Sequence, residues 1–164
     1  MPDAAFTIRP ATPADLPAIL EVFAVCFTGE YVSHSEIWEG RADAAGAPRA
    51  TAPALLAAEL PQMMEDFGDG VQVAESAGRL IGFVAAKIDN LGADDFGVVN
   101  DFCVLPEARR HGVGAALLEA VFAGLRSRSV KAVFLESNLR NTNAHRLFHE
   151  AGFQPISQVF MKRL

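Results

Sequence analysis

Residues 109–114 carry the side chains of this sequence that are best suited to binding an anion. Arg109 and Arg110 can form charge-assisted hydrogen bonds, while Gly112 and Gly114 lack Cβ atoms and let backbone amides approach a phosphate closely. An apolar run precedes this segment and an amphipathic run follows it, so the free N–H groups at the start of a helix would face the turn. The pattern indicates a phosphate-binding turn, with a glycine-tightened corner between strand and helix as the alternative.

Two common phosphate-binding motifs do not account for this turn. The sequence contains no G-x-x-x-x-G-K-[ST] segment, and Leu117 stands where the third glycine of a G-x-G-x-x-G motif would be. The elements around the turn must therefore indicate what it binds.

Composition predicts one domain spanning residues 1–164. The 20 acidic and 14 basic residues give a net charge of −6, which disfavours a nucleic-acid surface and favours cationic or neutral substrates. Cys26 and Cys103 lie in apolar segments without metal-like spacing, so we expect reduced, buried thiols. The start of the chain does not resemble a signal peptide and no apolar stretch is long enough to span a membrane, so we expect a cytoplasmic protein without a membrane partner.

Hydrophobic periodicity predicts the elements of the first third of the chain. Phe6–Arg9 alternates as a short strand, and Thr12–Phe27 has helical periodicity, with its first residue as N-cap and Asp15 completing a capping box. Thr28–Ala52 loses this periodicity and is expected to be a loop with one helical turn at most, around Ser35–Gly40. Such a long loop is either functional or a disordered insertion.

The rest of the chain predicts a mixed sheet. A helix over Ala54–Phe67 contains Pro61, which favours a kink or a break. Four strand-like runs follow: Val71–Ser76, Leu80–Asp89, Val98–Leu105 and Val130–Ser137. Residues 77–79 form a hairpin signal between the first two runs, and the last two must be parallel because a helix connects them. We therefore expect an α/β fold with a mixed sheet flanked by helices.

The segment after the last strand carries the most specific pattern. It reads N-x-x-A-x-x-L-F from Asn141 and then A-G-F up to Phe153, so that Asn141 can cap a helix and Gly152 can end it. This pattern, together with the R-x-x-G-x-G motif that starts at Arg109, resembles the two signature motifs of the GNAT (GCN5-related N-acetyltransferase) superfamily. The resemblance extends in order over Phe6–Phe153, nearly the whole chain.

The resemblance implies a largely antiparallel sheet in which the two parallel strands splay apart to admit acetyl-CoA. Strand backbone would pair with the pantetheine arm, and the amides of the turn would bind the pyrophosphate. The cofactor-binding residues that the resemblance implies are Phe102, Cys103, Val104, Arg109, Arg110, His111, Gly112, Val113, Gly114, Ala115, Asn141 and Phe148. Acetyl transfer to an amine also requires an N–H donor for the oxyanion, such as that of Val104, and groups that move two protons.

Asp101 and Glu136 are the candidate catalytic residues. Asp101 lies on the strand that leads to the acetyl position, where a charge is costly unless it is solvated or paired, so it is a candidate base or amine-binding group. A structural or strand-edge role is its alternative. Glu136, at the end of the neighbouring strand, is the second candidate.

The candidate acid is less clear. Many members of the superfamily have a tyrosine at the position of Phe148, whose hydroxyl protonates the leaving thiolate. Tyr31 and His145 are possible substitutes, as is water, because a thiol pKa near 8.5 makes CoA a tolerable leaving group. His145 and His149 lack a third metal ligand, so we expect no metal.

These inferences predict an enzyme that transfers the acetyl group of acetyl-CoA directly to a primary amine of a small molecule. A protein or peptide N-acetyltransferase is one alternative, and a non-catalytic acyl-CoA-binding regulatory protein, suggested by Phe148, is another. The tail Gln154–Leu164 has room for one final strand, whose exposed edge could support a homodimer.

Overall fold

The structure is a computed structural model that describes residues 5–90 and 94–162. These residues form five strands, five α-helices and two 3-10 turns. The strands are β1 (Thr7–Pro10), β2 (Val71–Ser76), β3 (Arg79–Asn90), β4 (Asp95–Val104) and β5 (Val133–Leu135). The helices are α1 (Leu16–Cys26), α2 (His34–Trp38), α3 (Ala52–Asp66), α4 (Val113–Ser127) and α5 (Thr142–Glu150), and the 3-10 turns are Pro13–Asp15 and Pro106–Ala108.

The strands form one sheet in the order β1-β2-β3-β4-β5. Neighbouring strands are antiparallel except β5, which runs parallel to β4. The predicted mixed, largely antiparallel sheet flanked by helices is therefore confirmed. The β2–β3 hairpin turns through Ala77 and Gly78, which both have positive φ values, as the two central residues of a type I′ turn require.

Each face of the sheet is covered by different helices. Buried side chains of α1 and α3 pack with Val73, Phe83 and Cys103 on one face. The apolar stripe of α4 packs with Val84 and Val99 on the other face, in a cluster built of apolar residues. The predicted α4 stripe is buried at Val113, Leu117, Leu118, Val121 and Leu125, whereas Phe122 is half-buried. Among the described residues, no helix has the length and apolarity needed to cross a bilayer.

Three helix predictions have clear outcomes. The capping box of Thr12 and Asp15 is present, although a 3-10 turn precedes α1. The expected helical turn in the 28–52 segment is α2. Of the kink or break expected at Pro61, the break is wrong, because α3 continues through this residue. Pro61 is exposed on α3, while Leu56 and Leu60 are fully buried and anchor the helix to the core.

The edge of the sheet is shorter than the sequence suggests. We expected a strand over Val130–Ser137, but only Val133–Leu135 pairs with β4. The final strand expected in the tail is wrong for the described residues 154–162, which form no strand. Hydrophobic side chains of this tail, such as Ile156 and Phe160, are exposed. They therefore bury little apolar surface that could stabilise a strand in the tail.

Candidate active site

A break in strand pairing creates the candidate site. Residues 97–99 of β4 pair with β5, and beyond them the two strands are no longer paired. A bulge against β3 lies at the same place, because Val99 pairs with Ala86 and Asp101 with Ala85, so Asn100 is the extra residue of β4. The bulge reverses the alternation of side chains: Val99 and Phe102 share the α4 face, while Cys103 packs on the α1 face.

The divergence opens a cleft of about 430 Å³, counting the solvent at its mouth. Its apolar wall comes from β4, β5 and α5, and its polar wall comes from the 28–36 segment and the two strand ends. The lining residues are Tyr31, Glu36, Val99, Asn100, Phe102, Leu135, Glu136, Ser137, Asn141, Ala144 and Phe148. The cleft thus contains an aromatic and aliphatic interior with carboxylates beside it.

The glycine-containing turn lies next to this cleft. Arg110 and Gly112 both have positive φ values, which bend the chain sharply into α4. A Cβ atom on Gly114 would lie 3.1 Å from the Phe102 ring and 2.9 Å from Leu147, so this glycine lets the start of α4 approach β4 and α5. The free N–H groups of the first turn of α4 are therefore placed close to the cleft-lining Phe102.

The predicted cofactor residues of the turn differ in their exposure and in their hydrogen bonds. Arg109 is engaged locally, because its Nε donates to the Val104 carbonyl oxygen at 2.9 Å. Arg110, His111, Gly112 and Ala115 are exposed, and Val113 is buried against the sheet. An anion at this turn would therefore meet backbone amides and the Arg110 and His111 side chains first.

Asn141 and Phe148 lie on the opposite wall of the cleft. The Asn141 side chain caps α5 by accepting a hydrogen bond from the Ala144 N–H at 3.3 Å. Phe148 is buried, with its ring centroid 5.9 Å from those of Phe102 and Phe153. Because it presents only carbon to the cleft, Phe148 shapes the cavity without donating a proton.

Two carboxylates mark the polar side of the cleft. Glu36 is 4% exposed and completes a capping box with Ser33, whose hydroxyl donates to it at 2.7 Å. The side chain of Glu136 is 45% exposed; one oxygen lies 3.2 Å from the Ser33 hydroxyl and the other 3.1 Å from His34 Nδ1. The two carboxylates are therefore held together by α2, and they concentrate negative charge at the cleft.

Asp101 lies in a buried network instead of on the cleft wall. It is 1% exposed, and its Oδ1 receives hydrogen bonds from Arg41 Nη1 at 2.9 Å and the Tyr31 hydroxyl at 3.0 Å. Arg41 also pairs with Glu59. Burial raises the pKa of Asp101, and the Arg41 guanidinium opposes that rise. This position favours the structural alternative for Asp101.

The two cysteines are both free and buried. Burial raises the pKa of the Cys103 thiol well above its usual range. A hydrogen bond with Cys103 lowers the pKa of Cys26, whose Sγ contacts the Val104 carbonyl oxygen at 3.5 Å. Cys103 therefore contributes packing and backbone here, and its thiol stays protonated.

Three polar residues in or behind the polar wall were not singled out from the sequence. Arg41 and Glu36 are buried parts of the 28–52 segment, and Asn100 Oδ1 is buried without a hydrogen-bond partner among the described residues. The S-x-x-E spacing of Ser33 and Glu36 is a capping-box signal that could have revealed the first turn of α2. No local signal marks Arg41, because its partner is 60 positions away.

The sequence matches the model of a known family over residues 23–153, described as "Acetyltransferase (GNAT) family". The match spans most of the 164 residues and includes β4, β5 and α5, which line the cleft. The chain belongs to the GNAT family. The resemblance deduced from the motifs at Arg109 and Asn141 is confirmed.

Proteins similar in sequence to part of this GNAT chain include named acetyltransferases. A mycothiol acetyltransferase from Thermobispora bispora is 38% identical over 87 residues, which are 51% of this chain and 30% of that protein. The chain thus spans less than a third of that relative's length.

Solved structures with the same fold include aminoglycoside enzymes. The apo aminoglycoside antibiotic 6'-N-acetyltransferase AAC(6')-IG from Acinetobacter haemolyticus has a TM-score of 0.68 and 20% identity, over 96% of this chain and 99% of that one. AAC(6')-Iy, in complex with the bisubstrate analog CoA-S-monomethyl-acetylneamine, has a TM-score of 0.67 and 20% identity, over 98% of both chains. At such identities the likeness shows the GNAT fold alone.

Proposed function

We propose that this protein transfers the acetyl group of acetyl-CoA to a primary amine of a small molecule, by direct attack of the nitrogen on the thioester. The observation that carries this proposal is the polarity of the cleft. Carboxylates of Glu36 and Glu136 lie at it, and no lysine, arginine or histidine lines it in the described part of the chain. Such a surface attracts the ammonium form in which aliphatic amines exist near pH 7.

Two features support acetyl-CoA as the donor. Beyond Val99, the edge of β4 is no longer paired with β5, so the extended pantetheine arm can add there as a peptide strand would. The start of α4, with the turn at residues 109–112, offers amides and positive charge for the pyrophosphate. The likeness of the fold to AAC(6')-Iy, which was solved with a CoA-containing analog, is consistent with this donor.

The chain's own groups suggest how the transfer would proceed. Glu36 holds the ammonium and the more exposed Glu136 helps to attract it. The ammonium gives one proton to water in the cleft, which leaves a nucleophilic amine. A backbone N–H of β4, such as that of Val104, would stabilise the oxyanion. Phe148 has no proton to give, so water protonates the departing thiolate, whose thiol pKa is roughly 8.5. Asp101 accepts a hydrogen bond from the cleft-lining Tyr31 and is not the base in this scheme.

A second candidate function rests on Phe148 alone. A protein that binds acyl-CoA without turnover has no need for a protonated side chain at that position. Such a regulatory protein would keep the turn and the pantetheine edge but would not release thiol.

The experiment that tests the proposal is thiol release from acetyl-CoA by the purified protein. The acceptors are spermidine, kanamycin, L-lysine, benzylamine and peptides with free N-termini. We expect turnover on at least one small amine, and we expect Glu36→Gln to lower kcat/KM for that amine by roughly tenfold to a hundredfold, because hydrogen bonds to a charged group are worth about 1.5–3 kcal/mol. Glutamine keeps the capping box, so α2 stays folded.

Glu136→Gln is the matched control. Its side chain is 45% exposed, and exposed ion pairs are worth only about 0.2–1 kcal/mol, so a loss of no more than about fivefold is expected. Turnover on peptides alone would indicate the protein or peptide N-acetyltransferase. Tight binding of acetyl-CoA without thiol release on any acceptor would overturn the proposal in favour of the regulatory protein.

Three further expectations stay predictions. We propose that residues 1–164 act as one domain and that the protein works in the cytoplasm, where Cys26 and Cys103 would remain reduced. A homodimer formed through the exposed tail is also untested.

A further inference from the structure

Tyr31 is the only tyrosine of the chain, and it is one of the residues that line the cleft. Its ring packs edge-on against the rings of Phe23 and Phe27, with centroids 6.0 Å and 5.4 Å away. Phe23 lies in the last turns of α1, and Phe27 directly follows the helix. These contacts fix the ring, so the hydroxyl has one position relative to β4. The sequence suggested Tyr31 only as a substitute acid for the departing thiolate.

The hydrogen bonds of the hydroxyl determine what it can do. Its proton is donated to Asp101 Oδ1 at 3.0 Å, and its oxygen accepts the Phe102 N–H at 3.3 Å. Arg41 Nη1 lies 2.9 Å from the same oxygen and stabilises the ionised form of Asp101. A hydroxyl has a single proton and two lone pairs, so this one has no proton left for the cleft and still has a lone pair available.

Neighbouring polar side chains also carry hydrogen-bond acceptors. Asn100 Oδ1 is a buried acceptor without a partner among the described residues, and Glu36 contributes an ionised acceptor. Tyr31, Asn100 and Glu36 therefore line the same cleft with side chains that carry acceptor oxygens. A ligand that donates N–H bonds, as a primary amine or ammonium does, matches these oxygens.

We infer that Tyr31 binds the attacking nitrogen of the acceptor, accepting an N–H hydrogen bond on its oxygen, because Asp101 and Arg41 hold its proton away from the cleft. This inference rests on the proposed function, since it concerns the acceptor in the same cleft. Tyr31 is then a catalytic residue, and Asp101 and Arg41 are positioning residues. The role as substitute acid is replaced, because a hydroxyl that donates to Asp101 cannot also protonate a thiolate.

The single tyrosine allows a direct test on the wild-type protein. Protein labelled with tyrosine-¹³Cζ gives one resonance, which is followed while the CoA-loaded protein is titrated with spermidine, kanamycin or benzylamine. We expect the resonance to shift and saturate with at least one amine, and not to respond to sodium acetate, which carries acceptors only. A resonance that moves with none of the three amines overturns the inference.

Two variants extend the test to kinetics. Tyr31→Phe keeps the packing with Phe23 and Phe27 and removes only the oxygen, so we expect kcat/KM for the amine to fall about tenfold while KM for acetyl-CoA changes less than twofold. Asp101→Asn offers an amide N–H to the Tyr31 oxygen and occupies its lone pair, so amine affinity measured by the ¹³C titration should fall at least fivefold. Unchanged amine kinetics in Tyr31→Phe would overturn the inference.

The outcome also separates this inference from the proposed function. Wild-type turnover combined with an unresponsive Tyr31 resonance keeps the acetyltransferase and removes the role of Tyr31. A saturating ¹³C shift without thiol release keeps the amine contact and removes the catalysis.

Discussion

Two arginine–aspartate pairs in this protein are joined over almost the same distance but differ in their hydrogen bonding and in their exposure to solvent. Arg41 and Asp101 are joined at 2.9 Å inside the protein, with side chains 3% and 0% exposed. Arg9 and Asp15 are joined at 2.8 Å near the surface, with side chains 38% and 12% exposed. The surface pair is bidentate, because Arg9 Nη1 and Nη2 each donate to one Asp15 oxygen at 2.8 Å. In the buried pair, Asp101 Oδ2 has no hydrogen-bond partner among the described residues, so the two pairs differ in bonding as well as in solvent exposure.

The pKa values of the two aspartates move in opposite directions. Burial raises the pKa of Asp101 even though Arg41 favours its charge. The hydrogen bond from Arg9 holds the pKa of Asp15 well below its usual range, because desolvation there is smaller than the effect of the bond. Without Arg41, the charge of Asp101 would be buried and uncompensated, whereas solvent can stabilise the charge of Asp15 without Arg9.

The largest expected effect comes from Arg41→Met. This change leaves Asp101 buried without its counter-ion, and removing one partner of a buried pair typically costs about 3–5 kcal/mol. The free energy of unfolding at pH 7, measured by urea denaturation, should fall by that amount. Amine turnover should fall as well, because Tyr31 loses its oriented partner.

Glu59→Gln is the matched control for this variant. Glu59 is the outer partner of Arg41 and its side chain is 45% exposed, so the loss should stay below about 1 kcal/mol. Equal losses in the two variants would contradict the view that burial, and not the number of ion pairs, sets the cost.

The pH dependence of Arg41→Met is the next largest effect. Without Arg41, the raised pKa of Asp101 means that the folded protein holds a proton that the unfolded chain releases above about pH 3.9. That contribution to the free energy of unfolding is fully present below the unfolded pKa and is lost as pH rises. As the pH falls from 7 to 4, the free energy of unfolding of the variant should therefore approach that of the wild type by up to about 1.4 kcal/mol per pH unit. A constant difference across this range would show that Asp101 stays ionised in the variant.

Much of the fold could be predicted because its signals are local. The Thr12–Asp15 capping box, the Asn141 cap and the positive φ of Gly152 each depend on a few neighbouring residues. The stripe of α4 and the strands of the hairpin follow from periodicity in the same way. The length of β5 could not be predicted, because pairing ends where β4 bulges at Asn100, and nothing in residues 130–137 encodes that bulge.

The site was predictable only on its cofactor side. The turn and the α5 cap carry motifs, whereas the polar wall depends on Arg41 reaching Asp101 and on Asn138 Nδ2 donating to the Val32 carbonyl over 106 positions. These contacts arise only when the 28–52 segment folds over the end of β4. Asp101 was correctly identified as a charge that a strand could keep only if solvated or paired, but its partner could not be named.

The smallest expected effect comes from Arg9→Met, the surface counterpart of Arg41→Met. Asp15 keeps its bonds to Thr12, so the loss at pH 7 should be about 0.5–1 kcal/mol. A lowered pKa contributes stability that is present above the unfolded value near 3.9 and is lost as pH falls through the folded one. The difference between this variant and the wild type should therefore persist from pH 7 to 4 and shrink only below pH 4, in urea titrations at fixed ionic strength. The two arginine variants would then differ in their pH window as well as in size: the difference for Arg41→Met closes above pH 4, and that for Arg9→Met closes below it. If both differences closed over the same window, solvent exposure would not be what separates the two pairs.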